Sequence, residues 1–149
     1  MGNTLTIMVG LPRSGKSSWI EKNKDEAIVV SSDWIRAEIL GDKYSYAGSA
    51  NAIVWTILDA TARIVLGQGK DVILDGVNLT RTTRSYYTAI ARKYGASVKM
   101  VVFKTPLTTC IERNQTAKDH KLPHGKLAAM ASSYEPPSPE EYDAIEEVM

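Results

Sequence analysis

Residues 10–17 read GLPRSGKS and match the phosphate-binding loop pattern G-x-x-x-x-G-K-[ST] at every fixed position. The apolar run 5–9 (LTIMV) leads straight into Gly10, and the amphipathic stretch 17–21 (SSWIE) follows at once. Strand, glycine loop and helix start therefore come in the order that cradling a triphosphate requires. Such a loop turns its backbone N–H groups inward around the phosphates, so a Cβ at Gly10 or Gly15 is a hindrance. Lys16 then reaches the β- and γ-phosphates, and the Ser17 hydroxyl ligates Mg²⁺. The helix N-terminus adds unpaired donors and a partial positive charge. Leu11, Pro12, Arg13, Ser14 and Ser18 complete the segment expected to bind the nucleotide.

The 149 residues suit one domain spanning 1–149, and 44% hydrophobic content is enough to bury a core. A formal net charge of +1 argues against a general nucleic-acid coat but leaves room for a local basic groove. Cys110 stands alone, which excludes an intramolecular disulfide and a cysteine zinc cluster and fits a reducing cytoplasm. The first residues lack the pattern of a secretory leader, and no apolar run is read as approaching membrane-spanning length. No membrane association is expected, and the sequence identifies no protein partner.

Outside the loop, residues 27–31 (AIVVS), 72–75 (VILD) and 97–103 (SVKMVVF) are mostly β-branched and read as strands covered on both faces. Helical segments are expected at 32–40, 49–66 and 80–94, the last closed by Gly95, with another opening over 106–113. In the long segment, Ile53, Ile57, Ala60 and Ile64 recur at the spacing of one helical face. This alternation implies right-handed crossovers and a three-layer α/β fold around a parallel sheet. With the phosphate loop ahead of it, the chain resembles the P-loop kinases, which implies a strand order of 2-3-1-4. Residues 144–148 could add a fifth strand or continue a helical turn that the run Ser138-Pro139-Glu140-Glu141 begins as a capping box. Two long polar connections, 41–49 and 114–125, read as binding loops or lids.

Two further groups carry chemistry. Residues 32–36 (SDWIR) follow the second strand at its carboxyl end, where open parallel sheets bind ligands. Asp33 and Arg36 lie three apart on one helical face. The carboxylate can accept a proton from an attacking hydroxyl, and the guanidinium can grip a substrate phosphate with two prongs. A helix cap with a surface ion pair would use the same residues without any chemistry. The third strand ends in Asp75, where phosphate-loop enzymes hold Mg²⁺ or its water shell. After it, Gly76, Val77 and Asn78 turn the chain toward a helix that Thr80 can cap. Arg81 and Arg84 on its first turns oppose the helix dipole. They are either ligands for a polyanionic substrate or solvated cations.

The segments GLPRSGKSSW, SSDWIR, ILDGVNLTRTTR, CIERN and HGKLAAMASSYEPPSPEEYDAI occur in this order over most of the chain. Together they resemble the polynucleotide 5′-hydroxyl kinase family, in its bacteriophage-type kinase domain. The resemblance implies an ATP- and Mg²⁺-dependent kinase that moves the γ-phosphoryl to the 5′-hydroxyl of a DNA or RNA end. It implies Asp33 as general base and Arg36 as binder of the substrate's 3′ phosphate. It further implies Lys16 and Ser17 as donor ligands, Asp75 as organiser and metal residue, and Arg113 as the cation of a lid over about 113–125. Asn78 and Arg81 are assigned to the substrate side. Where the family often carries a second lid arginine this chain has Ala117, with Lys118 beside it and Lys121 beyond. It also lacks a D-x-D-x-[TV] phosphatase motif. A small-molecule kinase acting on a nucleoside, sugar or antibiotic, or a nucleotide-binding switch, would share the donor machinery.

Other residues read as structural. Trp19 and Trp55 are assigned to packing, Cys110 to a small buried apolar site, and His120 and His124 to a solvated loop. Tyr44 and Tyr46 either stack on an acceptor base or cover a helix end.

Overall fold

The computed structural model describes residues 2–41, 48–118 and 121–149. Five parallel strands, β1 (Thr4–Val9), β2 (Ile28–Ser31), β3 (Val72–Asp75), β4 (Ser97–Phe103) and β5 (Ala144–Val148), form one sheet in the order β2-β3-β1-β4-β5. Residues 144–148 thus settle as the fifth strand, paired with β4 from Lys99↔Ala144 to Phe103↔Val148. Five of the six residues of β1 are buried, as a central strand with both faces covered demands. Its partners lie in register at Leu5↔Val72 and Leu5↔Val98.

The described residues form six α-helices: α1 (Lys16–Asn23), α2 (Ser32–Ile39), α3 (Gly48–Gly67), α4 (Arg81–Lys93), α5 (Leu107–Thr116) and α6 (Lys126–Ser132). Alternation along the strands divides the core. Leu5, Ile7, Val9, Leu74 and Met100 meet α2, α3 and α4 on one face, whereas Met8, Ile73, Val101 and Phe103 meet Ile20 and Trp19 of α1 on the other. Cys110, Leu122 and Leu127 form a smaller cluster that joins α5, α6 and the connection between them. Trp19 and Cys110 therefore pack as expected.

The long helix differs from its sequence pattern in which face it buries. Ala50, Val54, Leu58, Ala62 and Leu66 go into the core at every fourth position, while Ile53 and Ile64 are exposed. Two apolar stripes run along this helix, and periodicity alone does not say which one meets the sheet. Its 20 residues are long and apolar enough to cross a membrane by length and composition alone. That corrects the expectation that no such run is present; the Ala50–Leu66 stripe is part of the main core.

The chain returns to β5 through a strap over residues 133–143. Glu135 N–H donates to the Leu79 carbonyl at 2.9 Å, and a single 3₁₀ turn (Pro139–Glu141) follows. The capping box read in the sequence is formed there, with Ser138 N–H donating to Glu141 Oε2 at 2.7 Å. Arg84 is fully buried beneath this strap, which corrects both of its sequence readings. Its guanidinium donates to Glu141 Oε1 at 2.8 Å, to the Glu135 carbonyl at 2.6 Å and to the Asn78 carbonyl at 3.0 Å. A buried arginine survives only when its charge is paired and its N–H groups are used, and Arg84 meets both conditions.

Candidate active site

The carboxyl ends of β1, β2 and β3 open into a single cleft of about 1110 Å³. Residues 12–19 line it on one side, Asp33 and Arg36 on another, and residues 75–80 run between them. Sequence-distant groups proposed for donor and acceptor therefore share one space.

The loop after β1 is built around small residues. A Cβ at Gly10 would sit 2.9 Å from both Phe103 Cβ and Ser14 Oγ, so the backbone there admits no side chain. Gly15 takes φ 107°, a left-handed value, and caps α1. The Ser14 hydroxyl is buried with no hydrogen-bond partner. Thr105 Oγ1 donates to the Ser14 carbonyl at 2.8 Å, and Arg113 Nη1 donates to the Arg13 carbonyl at 2.9 Å. Arg113, expected as the cation of a lid, thus reaches the loop across 100 residues of sequence.

Lys16 folds back on the loop, its Nζ donating to the carbonyls of Gly10 at 2.6 Å and Leu11 at 2.7 Å. Desolvation lowers its pKa to about 8, against the opposing pull of Asp75 and then Asp33. The amine rests on loop carbonyls with Asp75 and Asp33 as its nearby carboxylates, and a triphosphate would bring further negative charge to it. This amine, the unpartnered Ser14 hydroxyl and the Gly10 cradle fit a bound nucleoside triphosphate. Ser17 and Asp75, both cleft residues, offer the hard oxygen donors that Mg²⁺ takes alongside phosphates and water.

On the acceptor side, the Ser31 hydroxyl caps α2 by accepting from Trp34 N–H at 3.2 Å. Neither Ser32 nor Asp33 is the cap. Asp33 is half exposed in the cleft, 3.9 Å from Arg36 Nη1. Arg36 is buried to 7% exposure, and its Nη2 donates to Asn51 Oδ1 on α3 at 2.7 Å. Asn51 went unnoticed in the sequence; the signal was an arginine on the same helical face as a core residue, which must find an acceptor on the next element.

Asn78 takes φ 45° and donates its Nδ2 to the Met8 carbonyl at 2.7 Å, while Gly10 N–H donates to the Val77 carbonyl at 3.0 Å. These bonds lock the corner after β3 to the start of the phosphate loop. Arg81 is not brought into the cleft: it lies outside the lining residues, with Nε 3.7 Å from Glu141 Oε2. In the lid segment, Asn114 clamps Leu122 by accepting from its N–H at 3.0 Å and donating to its carbonyl at 3.2 Å. Ala117 and Lys118 line the cleft; Lys121 does not. Trp55, read as core packing, is 40% exposed and lines the cleft. His124 is exposed. Tyr44, Tyr46 and His120 lie outside the described residues.

Solved structures share this architecture at low identity. Kti12 from Chaetomium thermophilum, in complex with ADP-AlF3, is similar with a TM-score of 0.74 and 17% identity, over 97% of this chain and 88% of that one. A chain of the Pnkp1/Rnl/Hen1 RNA repair complex gives a TM-score of 0.76 and 21% identity over 89% of this chain, which spans 44% of that larger one. A gluconokinase from Sinorhizobium meliloti 1021 gives 0.66 and 21%, over 99% and 82%. At these identities the likeness is one of fold. The model of the AAA domain family matches residues 5–137. With nearly the whole sheet and both sides of the cleft inside that match, the chain belongs to the AAA domain family and has a P-loop kinase fold.

Proposed function

We propose that this protein is an ATP-dependent kinase that transfers the γ-phosphoryl group to the 5′-hydroxyl of a DNA or RNA end. The observation that carries the reading is the Asp33–Arg36 pair. An exposed carboxylate and an anchored, buried guanidinium line the same cleft as Lys16. A nucleotide switch has no use for such a pair, whereas phosphoryl transfer to an alcohol needs a base and a grip on the acceptor.

In this scheme residues 10–18 enclose the triphosphate, Lys16 neutralises its outer phosphates, and Arg113 covers the loop. Lys118 is the second cation of the lid. Ser17 and Asp75 would hold Mg²⁺, which when bound neutralises charge on the phosphate oxygens. Asp33 accepts the proton of the attacking hydroxyl as the new O–P bond forms, the bond from the γ-phosphorus to the bridging oxygen breaks and ADP leaves. Arg36 holds the phosphate on the 3′ side of the acceptor nucleotide. The Pnkp1 likeness agrees with this acceptor. A small-molecule acceptor is the second reading, because the gluconokinase likeness covers 99% of the chain.

The test is transfer of labelled γ-phosphate to a panel of 5′-hydroxyl oligonucleotides, nucleosides and sugars. Labelling of oligonucleotides at their 5′ ends, well ahead of plain nucleosides and sugars, is expected. Preferential labelling of a sugar or free nucleoside refutes the polynucleotide reading, and no labelling of any alcohol refutes the kinase.

A further inference from the structure

Of the three α3 residues that line the cleft, Val54, Trp55 and Leu58, the middle one stands apart. Its neighbour Val54 and the following Leu58 are buried at 1% and 5%, yet the large indole remains 40% exposed. It is not loosely placed. The ring lies on Tyr87 with centroids 5.8 Å apart and planes inclined by 25°, and Tyr87 is itself buried to 2% and braced edge-on by Tyr86 at 5.8 Å. Stacked aromatic pairs hold a fixed plane at low entropic cost, so the indole is a rigid shelf on the cleft wall.

Asn51 precedes Trp55 by one turn on α3 and fixes the Arg36 guanidinium. The same helix therefore presents a flat apolar ring and holds an anion-binding fork next to it. A free sugar can lay the C–H face of its ring on an indole, but it carries no phosphate for the fork and no fully planar ring. A nucleoside unit has one, joined through its sugar to a phosphate.

We infer that Trp55 is the platform on which the base of the acceptor's terminal nucleotide stacks while Arg36 grips the adjoining phosphate. This rests on the proposed transfer to a 5′-hydroxyl and makes the base-bearing unit, beyond the phosphate, a determinant of acceptor choice. Stacking tolerates any base, because every base has a π-face, so the site discriminates base from no base more strongly than one base from another.

The experiment compares a nucleoside 3′-monophosphate with its abasic counterpart, 1,2-dideoxyribose 3-phosphate, as acceptors. The wild-type protein is expected to use the base-bearing acceptor with a KM lower by about tenfold to a hundredfold. Trp55→Ala should erase the difference by raising that KM alone, and Trp55→Phe should restore part of it, with ATP affinity unchanged in both. Titration with the nucleoside 3′-monophosphate should also quench tryptophan fluorescence in the wild type and not in Trp55→Phe, where Trp19 and Trp34 remain. Equal use of the two acceptors by the wild type overturns the platform and leaves the kinase standing. So does a loss of ATP affinity in Trp55→Ala that matches the loss for the acceptor. Absence of transfer to both acceptors overturns the kinase instead, and the quenching titration then decides the role of Trp55.

Discussion

Raising the pH from 7.5 to 9 should weaken ATP binding about eightfold. In the free protein the Lys16 ammonium sits on the Gly10 and Leu11 carbonyls, and desolvation brings its pKa down to about 8. A bound triphosphate favours the charged amine and raises that value, so binding above pH 8 takes up a proton. The apparent Kd then scales as one plus the ratio of neutral to charged Lys16. That factor is about 1.3 at pH 7.5 and about 11 at pH 9 for a pKa near 8. Isothermal titration in buffers of different ionisation enthalpy reads both the affinity and the proton uptake. Lys16→Arg is the control, since a guanidinium does not titrate in this range and its affinity should stay flat. For folding the sign reverses. Lys16 is destabilising below pH 8, where the fold must hold a charge it desolvates, and the penalty lifts as the pH rises from about 8 toward 10.5. A wild-type Kd that does not move between pH 7.5 and 9, or an equal slope in Lys16→Arg, would refute the reasoning.

Asp33→Asn should lower single-turnover transfer by a factor on the order of a hundred while leaving ATP affinity unchanged, as measured on the same preparation. If both fall together, Asp33 serves the donor and not the acceptor. Asn51→Ala removes the acceptor of Arg36 Nη2 and should raise the KM for a phosphate-bearing acceptor about tenfold, with kcat and ATP affinity nearly constant. Glu141→Gln leaves the Arg84 guanidinium buried without its counter-charge and should cost about 3 kcal/mol in urea denaturation at pH 7. Burial pushes the Glu141 carboxyl up, but the Arg84 hydrogen bond and the Ser138 N–H outweigh it and leave its pKa below the usual glutamate range. The stabilisation it gives is therefore present at neutral pH and lost as the pH falls through that lowered value, and Glu141→Gln should flatten this acid-side slope.

The strands were legible because each is a short β-branched run with turn residues after it, and their order followed from the likeness to P-loop kinases that the Leu5–Val9 stretch joined to Gly10 announces. Asp33, Arg36 and Asp75 come together in the cleft because topology brings the carboxyl ends of β2 and β3 there, while Arg113, in the last turns of α5, reaches it through the Arg13 carbonyl. What stayed hidden depends on partners far off in sequence. Arg84 reads as a surface cation until Glu141, 57 residues later, is known to reach it. Trp55 reads as core until Tyr87 is seen beneath it. Helix α6 escaped notice because its N-terminal cap is Gly125 at φ 83°, with no side-chain cap to announce it.

The central place of β1 in the sheet has a consequence for how the chain comes off the ribosome. Both neighbours of this strand lie far downstream, since Leu5 pairs with Val72 on one side and Val98 on the other. At about 5–20 residues per second, synthesis takes on the order of ten seconds to deliver the first of them. During that interval one of the most apolar segments of the protein is outside the ribosome with both edges unpaired. Recognition by holding chaperones should therefore be concentrated on nascent chains that expose β1 without β4, and fall away once β4 has emerged.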